Sequence, residues 1–269
     1  MATETTSDDI TYPGGNVRLF VEAALGEGAS VVPSEAQAHY LLHVMRARPG
    51  SRVRLFNGRD GEWRAAIAIV TKRGLTLTCE AQIAPQTRAP DLWLLFAPLK
   101  RAPIDFLAQK ATELGVARLA PVFTRRTVAE RVNTERLRAN CIEAAEQSAR
   151  RDVPEVLEPV VLARALEGWD AGRALFFCDE AGDARPLAAA AAGARGQRAA
   201  VLIGPEGGFA PEERAMIRGL TACVPVTLGA RLLRADTAAL AALAVWQAVA
   251  GDWGGAGDPA LPAVPAPGA

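Results

Sequence analysis

The sequence is poor in the residues that build metal and redox centres. Its 269 residues include four cysteines, two histidines and only three lysines, Lys72, Lys100 and Lys110. Cys79, Cys141, Cys178 and Cys223 are scattered with no Cys-x-x-Cys pairing, so free, mostly buried thiols in a reducing cytosol are expected. His39 and His43 stand four apart, but "HYLLH" lacks the glutamate of His-Glu-x-x-His and no third ligand is evident; no metal is expected. No apolar run reaches the length of a membrane span, and no basic-plus-apolar signal opens the chain, which implies a cytoplasmic protein. The formal net charge is zero, yet residues 16–90 carry ten Arg/Lys against six Asp/Glu. That excess fits an RNA footprint and a solvated face equally well.

What is present divides the chain into two regimes between tails. Residues 1–15 and the Gly/Pro/Ala-rich 254–269 lack periodicity and read as disordered. Over residues 16–84, Ser34-Glu-Ala-Gln37 is a capping box opening a helix to about Arg48. Alternation across 52–70 around Asn57-Gly58 and Asp60-Gly61 is a hairpin signal, and 75–84 supplies another strand. A small strand-dominated barrel with one helix fits this region, with 85–90 as a linker. From Asp91 to residue 253 the fold class is α/β. Apolar runs at 92–97, 118–123, 174–178, 200–204 and 224–228 alternate with helical stretches at 103–115, 134–150, 211–220 and 237–250. That rhythm predicts a parallel sheet covered on both faces, with ligands beyond the carboxyl ends of its strands.

Two stretches carry candidate chemistry. "AVLIGPEGGF" places glycines at the end of a strand and before a helix, where main chain can approach a ligand. It is neither a P-loop nor a G-x-G-x-x-G fingerprint, so a bare strand-to-helix turn is the alternative. "LGARLLRADTAAL" follows the next strand, with Asp236 or Thr237 as helix cap and Arg231 and Arg234 in the loop itself. Contact with phosphate or RNA, and ion pairing with Glu206 or Asp236, are both open for those arginines. Two such loops on adjacent strands would converge on one pocket.

"LIGPEGGF" followed some twenty residues later by "LGARLLRADTA" resembles the SPOUT methyltransferases, specifically the ribosomal RNA small subunit methyltransferase E family. "NVRLF" (16–20), "HYLLHVMRARPGSRVRLFNGRDGEW" (39–63), "LKRAPIDFLAQKATELGV" (99–116) and "EAAEQSARR" (143–151) are similar to further motifs of that family, in the same order. The family usually has Glu where this chain has Asp236 and Gly where it has Ala149; a methyl at Ala149 matters if that position needs positive φ.

The resemblance implies a PUA-like RNA-binding barrel, then a SPOUT domain threaded as a deep trefoil knot. It implies S-adenosylmethionine as cofactor, a homodimer through the catalytic domains, and methylation of N3 of a uridine in 16S rRNA, in the decoding region of the small ribosomal subunit. Gly204, Pro205, Gly207, Leu228, Gly229, Leu232 and Leu233 then offer main chain and apolar walls for the cofactor, with the loop after Cys178 (179–182) a weaker candidate. Glu206 and Asp236 are candidate bases for the N3 proton, and Arg231 and Arg234 candidate anion stabilisers. Arg18, His43, Arg46, Lys100 and Arg101 are candidate RNA contacts, with Arg52, Arg54 and Arg64 on the same barrel surface. The helix around Trp246 reads as core or as dimer contact. The alternatives are a related enzyme acting on tRNA or another rRNA position, and a non-catalytic RNA-binding ribosome-assembly factor.

Overall fold

The structure is a computed structural model that describes residues 9–12, 15–71, 74–99, 102–179 and 184–253. Contacts divide the chain into two compact units; residues 145–152, read from sequence as part of the second domain, group with the first. No helix of the described residues is long and apolar enough to cross a membrane.

The first unit is built on β1 (Arg18–Phe20), β2 (Ser30–Val31), β3 (Arg52–Phe56), β4 (Glu62–Thr71) and β5 (Gly74–Ala84). They form one mixed sheet in the order β1-β3-β4-β5-β2, with β1 parallel to β3 and the other pairs antiparallel. Side chains alternate between faces along a strand. Val53, Leu55, Ala65, Ile67, Leu75, Leu77 and Cys79 therefore point into one core together with Leu19, Val31 and Leu41. The capping box at Ser34 and Gln37 is formed, both bonds in place at 3.2 and 3.0 Å. The helix is shorter than its polar and apolar pattern suggested. α1 (Glu35–His39) passes into a π-helical turn over Tyr40–Val44, and Arg46 adopts a left-handed φ of 54°.

The turn between β3 and β4 is organised by Asn57 and Asp60. Asn57 Oδ1 accepts from the Arg59 and Asp60 N–H groups, and Asp60 accepts from the Leu25 N–H and from Asn57 Nδ2 at 2.9 and 2.6 Å. The Leu25 bond first, then the Asn57 bond, hold the Asp60 carboxyl below the ordinary carboxylate range. A lowered folded pKa contributes stability that is complete above the unfolded value of about 3.9 and disappears as pH falls through the folded value. Asp60→Asn is therefore expected to reduce the slope of the denaturant midpoint against pH below about pH 4. An unchanged acid slope would remove Asp60 from that role.

Arg18 corrects the sequence reading of it as an RNA contact. It is 8% exposed and its guanidinium is committed inside this unit. Nε donates to Glu62 at 2.8 Å, Nη1 to the Ala145 and Glu146 carbonyls, and Nη2 to the Arg150 carbonyl at 2.6 Å, with the guanidinium over the Phe56 ring. Glu62 is buried and also meets Arg151 at 3.5 Å and Arg54 at 3.9 Å. Glu146 returns the contact by accepting from the Phe20 N–H at 2.9 Å. Within this segment, Ala149 has φ 60°. A Cβ in left-handed geometry costs about 1–2 kcal/mol, part of which a glycine forfeits through its looser unfolded chain. Ala149→Gly should raise unfolding stability by roughly 0.5–1 kcal/mol; a lower midpoint would show that the methyl packs usefully.

The second unit contains β6 (Leu92–Phe96), α2 (Ala102–Glu113), β7 (Arg118–Phe123), most of α3 (Thr134–Gln147, whose last three residues group with the first unit), α4 (Leu162–Leu166), β8 (Arg173–Cys178), α5 (Leu187–Ala191), β9 (Arg198–Ile203), α6 (Pro211–Arg218), β10 (Cys223–Thr227) and α7 (Ala235–Val249). The five long strands run parallel in the order β7-β6-β9-β8-β10, extended by two-residue strands. Alternate residues serve opposite cores: Ala199, Val201 and Ile203 of β9 face one, Ala200 and Leu202 the other. α2, α3, α5 and α7 cover the first face, and α4 and α6 the second. This is why each strand reads as a short unbroken apolar run. Trp246 is fully buried among α7's inward residues, so its sequence reading as an interface anchor gives way to core packing.

Candidate functional site

Three strands end together at the carboxyl edge of the parallel sheet. β9 stops at Ile203, β8 at Cys178 and β10 at Thr227. β8 pairs with β9 on one side and β10 on the other, so the two glycine-bearing loops do not lie on adjacent strands as the sequence suggested. They sit two rungs apart, about 10 Å, and bracket the end of β8 between them. Asp179, which follows β8, is buried and its carboxylate is taken by Arg214 and Arg218 of α6 at 2.9 and 2.8 Å. Burial pushes the Cys178 thiol up to about 12, so it stays protonated at neutral pH and is no nucleophile. Of the loop 179–182, residues 180–182 lie outside the described residues, as do Lys100 and Arg101.

The first loop is a tight turn. The Gly208 N–H donates to the Pro205 carbonyl at 2.8 Å, and Gly208 has φ 68°. Gly204 is dictated by packing: a Cβ there would meet the Phe209 ring at 2.6 Å. That ring is buried edge-on to Phe177, so the strand end, the turn and the sheet core are locked together. Beside Gly208, by contrast, an added Cβ meets nothing within 4 Å. Glu206 is exposed and makes no hydrogen bond or ion pair among the described residues.

The second loop is open. Gly229 has φ 109°, is exposed, and would also accept a Cβ without contact. Its N–H donates to Thr227 Oγ1 at 3.2 Å. Leu232 is 82% exposed, a large apolar side chain uncovered between Arg231 and the half-buried Leu233, and Leu228 is half-buried as well. Arg231 and Arg234 are both exposed and neither is paired with Glu206 or Asp236 among the described residues. The cap of α7 also differs from expectation. Arg234 is the N-cap residue without a side-chain bond, and Asp236 lies in the first turn, accepting from the Thr237 N–H at 2.7 Å. A carboxylate there is favoured by the helix dipole.

Sequence reasoning missed a third loop at the same edge, residues 124–127 after β7. Thr127 Oγ1 accepts from the Thr124 N–H at 2.9 Å and closes it into a turn. Buried Glu213 joins this turn to the first loop by accepting from the Arg125 N–H at 2.8 Å and the Ala210 N–H at 2.9 Å. Arg126 Nη1 donates to the Gly207 carbonyl at 2.7 Å. The only local signal was Glu213, three residues after the cap position of α6.

In the first unit, His43 and Arg46 are exposed, as an RNA-contacting role requires. Arg52 and Arg64 both pair with Glu80, at 2.9 and 3.2 Å, which removes part of their charge from that surface. The His39 and His43 rings lie 4.7 Å apart, and no cluster of three or more metal-binding groups occurs among the described residues.

Comparison with known proteins places these features in context. The family described as "RNA methyltransferase domain" matches residues 87–247, and that described as "RNA methyltransferase PUA domain" matches residues 33–79. Ribosomal RNA small subunit methyltransferase E of Synechocystis sp. is 30% identical, over 80% of this chain and 72% of the relative. The protein of the same name from Rickettsia conorii is 28% identical, over 84% of this chain and 93% of the relative. Among solved structures, ribosomal RNA small subunit methyltransferase E from Neisseria gonorrhoeae, bound to S-adenosyl methionine, superposes with a TM-score of 0.80 at 27% identity. That alignment covers 88% of this chain and 99% of the other.

Proposed function

The chain belongs to the ribosomal RNA small subunit methyltransferase E family, and from that membership we propose that it methylates N3 of a uridine in the decoding region of 16S rRNA, using S-adenosylmethionine. The residues present suit that cofactor. Open space flanks the main chain at Gly208 and Gly229, and Leu232 offers an uncovered apolar surface. Gly204, Pro205, Gly207, Leu228, Gly229, Leu232 and Leu233 would hold it through peptide groups and apolar walls. When bound, it supplies a methyl group activated on a sulfonium.

The chain's own side chains must then position the uracil and remove its N3 proton. Glu206 is the better proton acceptor, because its carboxylate is free of other bonds among the described residues, whereas Asp236 already accepts from Thr237. Arg231 and Arg234 supply positive charge where the uracil becomes anionic, which lowers the barrier to losing that proton. His43 and Arg46 contribute RNA contacts on the first unit. The homodimer, the trefoil knot and a cytoplasmic location complete this reading on the strength of the family.

The observation that carries the proposal is the pair of open glycine turns bracketing β8 in a chain of this family. The test is incubation with labelled S-adenosylmethionine and small subunits from a strain lacking the enzyme, followed by nucleoside mapping by mass spectrometry. The expected product is 3-methyluridine at a single 16S position. Label in another nucleoside, or in tRNA or 23S rRNA, replaces the target. An absence of both transfer and cofactor binding replaces the enzyme with an RNA-binding factor.

A further inference from the structure

We propose that Arg126 is a positioning residue that sets the cofactor turn at 204–208 by holding the Gly207 carbonyl. This rests on the assignment of that turn to the cofactor. The peptide between Gly207 and Gly208 is held within the turn only at its N–H end, where Gly208 donates to the Pro205 carbonyl, and two consecutive glycines restrain the flanking dihedrals weakly. Its carbonyl end is held from outside the turn, by Arg126. Without that second hold, the main chain beside Gly208 loses its fixed position. Arg126 Nη1 donates to the Gly207 carbonyl at 2.7 Å, and the arginine's Cβ and Cδ lie 3.5 and 3.6 Å from where a Gly207 Cβ would stand.

The arginine is itself anchored. It lies in the turn closed by Thr124 and Thr127, and the next residue back, Arg125, donates its N–H to buried Glu213. Glu213 holds the Ala210 N–H with its other oxygen, so both ends of the clamp refer to one buried carboxylate at the start of α6. Arg125 has the same charge but a different partner: its guanidinium pairs with Glu212 on the surface. It is the control for charge alone.

The experiment compares Arg126→Ala, Arg126→Lys and Arg125→Ala in the full chain. Without ligand, amide hydrogen exchange over residues 204–210 should quicken in Arg126→Ala and stay at the wild-type rate in Arg125→Ala, with unchanged melting temperatures. S-adenosylhomocysteine should bind Arg126→Ala about tenfold more weakly by calorimetry, a loss of about 1.4 kcal/mol. The KM for S-adenosylmethionine should rise with kcat at saturation little changed, and Arg126→Lys should restore part of the affinity. Wild-type exchange over 204–210 in Arg126→Ala overturns the proposal, and so does an equal loss of affinity in Arg125→Ala. Failure of the wild-type protein to bind S-adenosylhomocysteine would instead remove the cofactor assignment, while the ligand-free exchange still decides whether Arg126 holds the turn.

Discussion

Arg18→Ala should cost the first unit about 3–5 kcal/mol of stability, the range for breaking a buried ion pair by deleting one partner. The loss has an unusual distribution. Glu62 keeps partial compensation from Arg151 and Arg54, so its charge is not stranded. The carbonyls of Ala145, Glu146 and Arg150 each lose a bond at once, the one to Ala145 buried and the other two partly so, because a single guanidinium donates to all three. Each unsatisfied buried acceptor costs on the order of 1–3 kcal/mol. Arg18→Lys should recover little, since one ammonium cannot span a carboxylate and three carbonyls arranged for a planar fork. Hydrogen exchange of β3 and β5 under mild denaturant reads this unit separately from the other, which matters because a two-unit chain need not unfold in one step. A loss below about 1 kcal/mol would mean that water or Arg54 replaces the missing donors.

The second large effect concerns chemistry. Arg234→Ala should slow single-turnover methylation by about a hundredfold, the lower end for removing one group that stabilises developing negative charge. The dissociation constant for S-adenosylhomocysteine should move less than about threefold, because an exposed side chain at the N-cap of α7 is not needed to shape the peptide groups at 228–233. Stability should hardly change, since the cap makes no side-chain bond. Equal losses of cofactor affinity and rate would withdraw any role tied to RNA or to the transition state. A pH–rate profile of the variant adds a second reading. If Arg234 lowers the cost of the uracil anion, the rise of rate with pH should shift upward in its absence.

Much of the second unit was legible because its strands are buried on both faces. The runs expected at 92–97, 118–123, 174–178, 200–204 and 224–228 are the strands found, within two residues, and the four expected helices are present. What local pattern cannot carry is lateral order. Nothing in "ALFFC" says that β8 lies between the strands bearing the two glycine loops. The same limit hid Arg18, whose partners are 44 to 132 residues away, and Arg126, whose partner is 81 residues away. Arg18 was counted among the RNA contacts from the family resemblance; the carboxylate and carbonyls that receive it make the inside favourable. The helix after Ser34 was overextended for a different reason: its apolar spacing continues through Val44, while the backbone has already widened into a π turn.

The position of β8 also bears on how the protein is made. Both of its neighbours in the sheet come later in the chain, β9 at 198–203 and β10 at 223–227. During synthesis, β8 therefore emerges with two vacant flanks, and the apolar Leu175, Phe176 and Phe177 must wait for them. A product terminated just before Cys223 would keep one flank bare, an edge of the kind that templates aggregation. Such a fragment also lacks the open loop 228–233 and α7, so part of the core on that face of the sheet has not been translated.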